Sequence, residues 1–539
     1  MSPGLDPVTL QVLIGALRAA CEEMGAVLVR AAHSANIKER RDCSTALFDA
    51  AGELVMQAEQ IPVHLGSMPD AVAAVRGEEH RPGDVWILND PYQGGTHLPD
   101  ITLISPVFAP ADDSQEDDES AAAGSADAPS LLGFAASRAH HADVGGPTPA
   151  GMPAGSTRLE EEGVVIPPTR ADDDRLARLA AEMRNPHQRL ADLRAQRAAN
   201  LTGERRLLEL AGRHGTAVLR SGMAEVLDYA ERRTRAALAE LPDGSYEAED
   251  LMEADASGEP SDIRLRVTAR IDGDRLTLDF TGTDPQVEGN LNCPLPVTKS
   301  AAFFAVRVLT DPEAPPSAGA FRPVQVIAPQ GCLLNADPPA AVAAGNVETS
   351  SRVADLVMEA LAGAAPAPAQ GQGTMNNLTL ASESTATSQS PRQSARRQDQ
   401  FTYYETVGGG QGACPDADGP SAVHVAMSNT LNTPTEALET EFPLRVTELS
   451  VRRGSGGAGR HRGGDGIVRE LEALAAMSFT LITERRRHAP RGRDGGADGE
   501  PGRNLLNGEP LPSKAAGELR PGDRLRIETP GGGGYGRAT

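Results

Sequence analysis

The sequence predicts a mixed α+β protein of several domains, and three observations carry that prediction. Apolar residues recur at helical spacing between Leu10 and Leu28 and then give way to a hairpin pattern of short strands. The stretch from Asp172 to about Leu241 is rich in Ala, Leu, Arg and Glu and reads as helix throughout. Beyond Pro242 the pattern alternates as strands do, and the last third is threaded with glycine runs. These changes of texture divide the chain into an N-terminal α/β region at 1–171, a helical segment at 172–241 and an α+β region with glycine-rich loops at 242–539.

Taken in order, Asp6-Pro7 sets an acid before a proline, a favoured opening for a helix that runs to about Ala32. The charge cluster Glu39–Ser44 leads into an apolar run at 45–48, a turn at 49–52 and a return at 53–56, which is a hairpin. Because those charges precede the strand instead of capping its turn, a site-lining role and a solvated surface both stay open. The segment Ile61–Asp70 enters a helix with His64 just before it, and the apolar runs at 85–88, 101–104 and 131–139 read as strands. Two or three long helices fit 172–241, punctuated at Asn185-Pro186 and at 212–215. Residues 263–271 and 276–280 flank a turn at 272–274 as an alternating hairpin, and helices follow at 297–309 and after Glu348–Arg352. The acidic stretch 111–130 and the Ser/Gln-rich stretch 382–398 read as disordered loops. The glycine runs at 408–410, 454–464, 492–502 and 531–534 read as tight turns, with anion cradling by their N–H groups as the alternative.

At 539 residues the chain can bury a large core, but aromatic residues make up only 3%, so that core must be built from Ala, Val and Leu. The formal charge is −24, and lysine occurs only at Lys38, Lys299 and Lys514. Such a surface repels phosphate backbones and anionic lipid, which argues against nucleic acid and membrane as partners. Five widely spaced cysteines without a CxxC pair fit reduced thiols. No basic n-region opens the sequence and no apolar run approaches the roughly 20 residues of a membrane span, so a cytoplasmic protein is expected.

The chemistry concentrates in Asn89–Asp100, NDPYQGGTHLPD, a glycine-rich loop between two strands. His97 and Asp100, three residues apart, offer an imidazole nitrogen and a carboxylate oxygen, a ligand mix suited to a first-row divalent ion. A third ligand is available at the end of the strand 131–139, which reads His140-His141-Ala142-Asp143. Strand side chains alternate faces, so only one of the two histidines can join His97 and Asp100. On spacing alone, a turn cap at His97 and a strand opening at Asp100 explain the same residues. No Walker-type loop, HExxH helix or GxSxG elbow is present.

Ten stretches, in order, resemble the hydantoinase B/oxoprolinase family over nearly the whole chain; among them are ANIKERRDCSTALFDAAG, IPVHLGSMPDAV, GDVWILNDPYQGGTHLPDITLISPVF, SRAHHADVGG, GNVETSSRVAD, FTYYETVGGGQGA and TPGGGGYG. The acidic stretch between Asp100 and His140 and the loop 382–398 depart from the family's pattern without interrupting a motif. The resemblance implies a subunit of an ATP-dependent enzyme that opens cyclic amides such as 5-oxoproline or N-methylhydantoins. Ketone carboxylation is the alternative, and a non-catalytic scaffold subunit is a second one. It implies a divalent metal ion, of identity left open among Zn, Mn and Fe, on His97, Asp100 and His140. It also implies a hydantoinase A-type partner subunit that handles ATP in a hetero-oligomer, in keeping with the absence of a lysine-bearing phosphate loop. A partner that phosphorylates the amide oxygen leaves this chain to complete the ring opening, with water activated at the metal and a carboxylate as base. Glu405, Glu436, Asp42 and His64 are the candidate catalytic residues, each open to a purely structural role as well. The wording His140-His141-Ala142-Asp143 favours the oxoprolinase and hydantoinase members over the carboxylases.

Overall fold

A computed structural model describes residues 6–109, 129–254, 261–382 and 401–538. The stretches read as loops at 111–130 and 382–398 lie outside the described residues except at their ends, where Ser130 and Ser382 belong to strands.

The N-terminal part is one antiparallel sheet of six strands. They are β1 (Cys43–Asp49), β2 (Leu54–Glu59), β3 (Trp86–Leu88), β4 (Asp100–Ala109), β5 (Ser130–His140) and β6 (Thr169–Arg170), in the spatial order β2-β1-β5-β4-β3-β6. Helix α1 (Pro7–Ala31) starts at an Asp6 cap that accepts the Val8 and Thr9 N–H groups, and it buries Leu10, Leu13, Ile14, Leu17 and Met24 as the spacing predicts. Short helices α2 (Ala35–Lys38) and α3 (Met68–Ala73) flank the sheet. The helical segment resolves into α4 (Asp173–Ala181), α5 (Pro186–His214) and α6 (Thr216–Ala239), broken at Asn185-Pro186 and at Gly215, whose φ is 86°.

Helix α5 lies on the N-terminal sheet, and Leu207, Leu210 and Ala211 share a core with α1. Its buried face also carries a polar stripe at one-turn spacing, Asp192, Gln196 and Asn200. Gln196 donates to the Ile101 and Ser137 carbonyls at 2.9 and 3.2 Å, and Asn200 donates to the Leu103 carbonyl at 3.1 Å.

Beyond residue 242 three more sheets follow. Strands β7 (Gly244–Glu253), β8 (Asp262–Asp272), β9 (Arg275–Asp279) and β10 (Val324–Ile327) form one in the order β10-β9-β8-β7, with only β9 and β10 parallel. Helices α7 (Leu295–Leu309), α8 (Ala318–Phe321) and α9 (Ser350–Leu361) accompany it; Val297, Ala301, Leu356 and Val357 of α7 and α9 join its core. Strands β11 (Asn377–Ser382), β12 (Thr402–Glu405), β15 (Met477–Ile482) and β18 (Lys514–Leu519) pair as β12-β11-β15-β18. The remaining sheet, after helix α10 (Thr435–Glu441), is β13-β14-β19-β16-β17, made of β13 (Leu444–Arg452), β14 (Gly466–Ala473), β16 (Arg503–Leu506), β17 (Glu509–Leu511) and β19 (Arg524–Glu528).

The glycine runs keep the reading as tight turns only in part: Gly454 and Gly495, with φ of 88° and 90°, sit in turns, while other members of the runs do not. Gly410, Gly464 and Gly532 are not in the positive-φ region; they lie where backbones meet. A Cβ on Gly410 would stand 2.0 Å from the Gly464 carbonyl oxygen, and one on Gly532 2.0 Å from that of Gln411. Their N–H groups are spent on carbonyls of neighbouring segments: Gly410 on Pro530 at 3.0 Å, Gly464 on Gln411 at 2.9 Å and Gly532 on Gly464 at 2.9 Å. These amides are therefore not available to an anion.

Candidate metal centre

Asp100 opens β4 and His140 closes β5, and the antiparallel register sets them directly opposite each other. A cross-strand pair brings its Cβ atoms to about 5 Å. His97 reaches the same point from the loop that precedes β4. Asn89 braces that loop by donating to the Leu98 and Val164 carbonyls at 2.8 and 3.0 Å while accepting the Ile166 N–H at 2.7 Å. Two glycines let it fold back: Gly94 has a φ of 98° and a Cβ there would meet the Asp70 carbonyl oxygen at 2.6 Å, and one on Gly95 would meet that of Asn89 at 2.3 Å.

His97, Asp100 and His140 are 0%, 1% and 3% exposed. Asp100 Oδ1 stands 3.1 Å from His97 Nε2 and 3.2 Å from His140 Nδ1, and the two ring nitrogens are 3.2 Å apart. The other carboxylate oxygen, Oδ2, accepts from Thr96 Oγ1 at 2.7 Å and from Asn346 Nδ2 at 3.4 Å, and it lies 3.3 Å from His64 Nε2. Burial alone would raise the Asp100 carboxyl, but the charges of His97 and His64 and hydrogen bonds from His140 and His64 outweigh it and hold the group well below the usual carboxylate range.

The donor set fits a divalent ion. His97 Nδ1 faces the Ala343 carbonyl at 3.4 Å and can donate to it, so the neutral ring would turn its Nε2 lone pair toward Asp100 Oδ1 and His140 Nδ1, a bound cation taking the place of the ring protons that otherwise face Asp100. Acceptors converging on one buried point need positive charge among them, and two ligands each about 2.1 Å from one ion stand roughly 3 to 3.5 Å apart. The Ala343 carbonyl is itself fixed. Glu162, whose burial pushes its carboxyl up to about 7, accepts the Val342 and Ala343 N–H groups at 3.1 and 2.9 Å. A carbonyl orienting a ligating imidazole is the usual outer partner of such a site.

Of the other sequence candidates, the structure brings two to the cluster and leaves two away from it. Asp42 and His64 line the same cavity as Asp100 and His140, and the Ser44 hydroxyl bonds His64 Nδ1 at 3.0 Å. Glu436 is exposed on α10. Glu405 is buried but points away, because side chains alternate along β12 and its neighbour Tyr404 takes the cavity face. Its carboxylate pairs with Arg469 at 3.2 and 3.3 Å and accepts from the Tyr403 hydroxyl at 2.8 Å. His141 likewise turns from the cluster and meets Gln196 Oε1 at 2.9 Å.

That placement of Glu405 carries an expected result. Replacing Arg469 with methionine strands a buried carboxylate and should cost about 3–5 kcal/mol near neutral pH. Burial raises Glu405, but the Arg469 and Arg40 charges and the bonds from Arg469 and Tyr403 outweigh it and hold its pKa below the usual range. The contribution of the pair is therefore complete above the unfolded value of about 4.3 and fades as pH falls through the lower folded value. Denaturant unfolding of the two proteins should converge toward the acid end; a gap independent of pH would show that Glu405 is not the group responsible.

Sequence reasoning gave no role to Asn346 or Tyr404. Asn346 lies in a single π-helical turn, Gly345–Thr349, at the start of α9, the kind of local widening found at functional sites. Its Oδ1 is buried without a partner. The Tyr404 ring stacks on His140 with centroids 4.6 Å apart, and its hydroxyl donates to Asn377 Oδ1 at 2.8 Å. The motifs GNVETSS and FTYYET were the available signal, but nothing local in either tells which residue turns inward.

The profile of the hydantoinase B/oxoprolinase family matches residues 6–538. The chain belongs to that family. Within it, the 5-oxoprolinase of Dictyostelium discoideum is 35% identical over 549 residues, which is 99% of this chain and 40% of the relative. An uncharacterized protein of Methanocaldococcus jannaschii is 36% identical over 550 residues, 99% of this chain and 91% of that one. This hydantoinase B/oxoprolinase chain thus spans about two-fifths of the length of the 5-oxoprolinase it matches. Among solved structures, the ATP-dependent caprolactamase from Pseudomonas jessenii superposes with a TM-score of 0.86 at 29% identity, covering 99% of this chain and 92% of that one.

Proposed function

We propose that this chain is the ring-opening component of an ATP-dependent cyclic amide hydrolase, acting on 5-oxoproline ahead of hydantoins, and that a separate hydantoinase A-type subunit supplies the phosphorylated substrate. The observation that carries this reading is the convergence of His97, Asp100 and His140 on one buried point at the wall of a cavity. The similarity to an ATP-dependent caprolactamase supports the reaction class.

The division of labour follows from the chemistry. A ring amide is a poor electrophile, and phosphoryl transfer to its oxygen makes the ring carbon open to attack by water. The adduct expels the protonated ring nitrogen, which breaks the C–N bond and leaves an acyl phosphate, and a second water releases inorganic phosphate. When bound at His97, Asp100 and His140, a divalent ion would supply Lewis acidity and lower the pKa of water. Around that point Asp42 offers a carboxylate to take a proton from the attacking water. His64, held between Ser44 and Asp100, keeps the Asp100 carboxylate turned toward the two other histidines. Tyr404 walls the cavity and excludes water from the face of His140. Asn346 presents a spare amide oxygen beside Asp100.

The decisive experiment measures ADP release by the chain reconstituted with an A-type subunit, offered 5-oxoproline, hydantoins, or acetone with bicarbonate. Stimulation by 5-oxoproline is expected, with no turnover by the isolated chain. Stimulation by the ketone alone would overturn the assignment, and turnover of 5-oxoproline and ATP by the isolated chain would remove the need for a partner.

A further inference from the structure

The cavity has a second polar wall, distinct from the histidine cluster, that the ring-opening chemistry leaves unused. Arg40 follows α2 and is completely buried. Its Nε donates to Asn36 Oδ1 at 3.2 Å, and its Nη2 donates to Thr406 Oγ1 at 2.6 Å and Thr430 Oγ1 at 2.8 Å, both on residues that line the cavity. Its Nη1 has no partner. Among the described residues no carboxylate forms an ion pair with it, and the nearby Glu405 is committed to Arg469 and Tyr403. Arg40 shares the charge of Glu405 only at a distance, so its guanidinium stands behind the two cavity-lining threonines with one N–H unused, which makes this wall a place for an incoming anion.

The neighbouring hydroxyls form one hydrogen-bonded chain with Arg40 and His424. Both threonine oxygens accept from Arg40, and they lie 2.7 Å from each other. Thr430 Oγ1 is 3.2 Å from His424 Nε2, and His424 Nδ1 is 2.9 Å from the Ser428 hydroxyl. Burial and then the Arg40 charge hold His424 down to about 3, so the ring is neutral and carries one proton. Thr430 Oγ1 has two lone pairs, so while accepting from Arg40 it can either donate to Nε2 or accept from it; with the ring proton on Nδ1, His424 donates to Ser428. In that tautomer the Ser428 hydroxyl, which lines the cavity, turns its hydrogen to that space or to the Val425 carbonyl at 3.5 Å.

We infer that Arg40, Thr406, Thr430, His424 and Ser428 form an oxyanion subsite in the cavity wall, one that takes a negatively charged carboxylate or phosphoryl group of the substrate. The inference rests on the ring-opening reading for the identity of the substrate, while the subsite itself stands on the unused Arg40 N–H and the three hydroxyls that line the cavity in front of it. A ring carboxylate, as on 5-oxoproline, and the phosphoryl group of the activated amide share the required chemistry.

Calorimetric titration of the full metal-loaded chain with L-5-oxoproline, neutral 2-pyrrolidinone and inorganic phosphate tests it. At least one of the two anions is expected to bind, with affinity falling about 30-fold or more in Arg40→Met and about 5- to 10-fold in Ser428→Ala, while the response to 2-pyrrolidinone is the same in all three proteins. Loss of 5-oxoproline binding assigns the carboxylate, and loss of phosphate binding alone assigns the phosphoryl group. Should Arg40→Met fail to fold, Ser428→Ala decides, since it removes one oxygen and no charge. Phosphate binding that depends on Arg40, with no response to 5-oxoproline, would keep the subsite and count against the ring substrate. Binding of 5-oxoproline that ignores both substitutions, or no binding of either anion to the wild type, would overturn the subsite.

Discussion

Asp100→Asn is expected to empty the candidate metal centre, lowering bound divalent metal in the purified protein at least tenfold and turnover of the reconstituted complex by about 10³-fold or more. Asparagine keeps the shape of the side chain and its bonds to Thr96 and Asn346, but it removes the charge that His97 and His140 share through Oδ1. Elemental analysis on protein shown by circular dichroism to be folded separates loss of the ion from loss of the fold. Glu436→Ala, on the exposed surface of α10, is the matched control and should change neither quantity. Equal and negligible metal in the wild type and Asp100→Asn would remove the metal from the proposal.

The second large effect is expected far from that centre. Gly532→Ala puts a methyl group 2.0 Å from the Gln411 carbonyl oxygen and 2.7 Å from the Gly412 nitrogen, where only backbone could yield. Overpacking of ordinary cores costs about 1–3 kcal/mol, and this backbone clash should exceed that range and leave little folded protein. The same chemical change at Gly15, exposed in the middle of α1 with nothing within 4 Å, should stabilise by about 1 kcal/mol. Thermal melts of the two variants should move in opposite directions. A Gly532→Ala protein that melts like the wild type would show that the segments do not pack as closely as they stand here.

What could be read from the sequence was what is local. The first helix, the β1–β2 hairpin, the breaks at Asn185-Pro186 and Gly215 and the strands on either side of the NDPYQGGTHLPD loop all follow from spacing, caps and turn residues within a few positions. So did the choice of one histidine from the pair, since alternation along β5 forces His140 and His141 apart. The rest depends on contacts between distant segments. His64 reads as a lone histidine before a helix until Asp100, 36 residues on, closes on it, and Asn346 reaches the same carboxylate across 246 residues. Glu405 fell to a single step of register: the residue before it, Tyr404, faces the cavity. The stripe Asp192, Gln196, Asn200 has the polarity of a solvated helix face, yet it is buried because sheet carbonyls accept from Gln196 and Asn200 while the His33 and Ser34 N–H groups donate to Asp192.

The antiparallel pairing of β4 and β5 has a consequence for how the protein can vary. Asp100 and His140 sit at one end of this pair, and Ala109 and Ser130 at the other, at the far end of the ten-residue β4. At about 3.4 Å per residue the connection between the strands leaves the sheet some 30 Å from the donor atoms. Length can therefore be added or removed at that tip without shifting the pairing that sets the donors opposite each other. A single residue inserted within either strand, between tip and site, would instead rotate one donor to the other face. The hairpin thus separates a region free to change in length from one held to the spacing of three atoms.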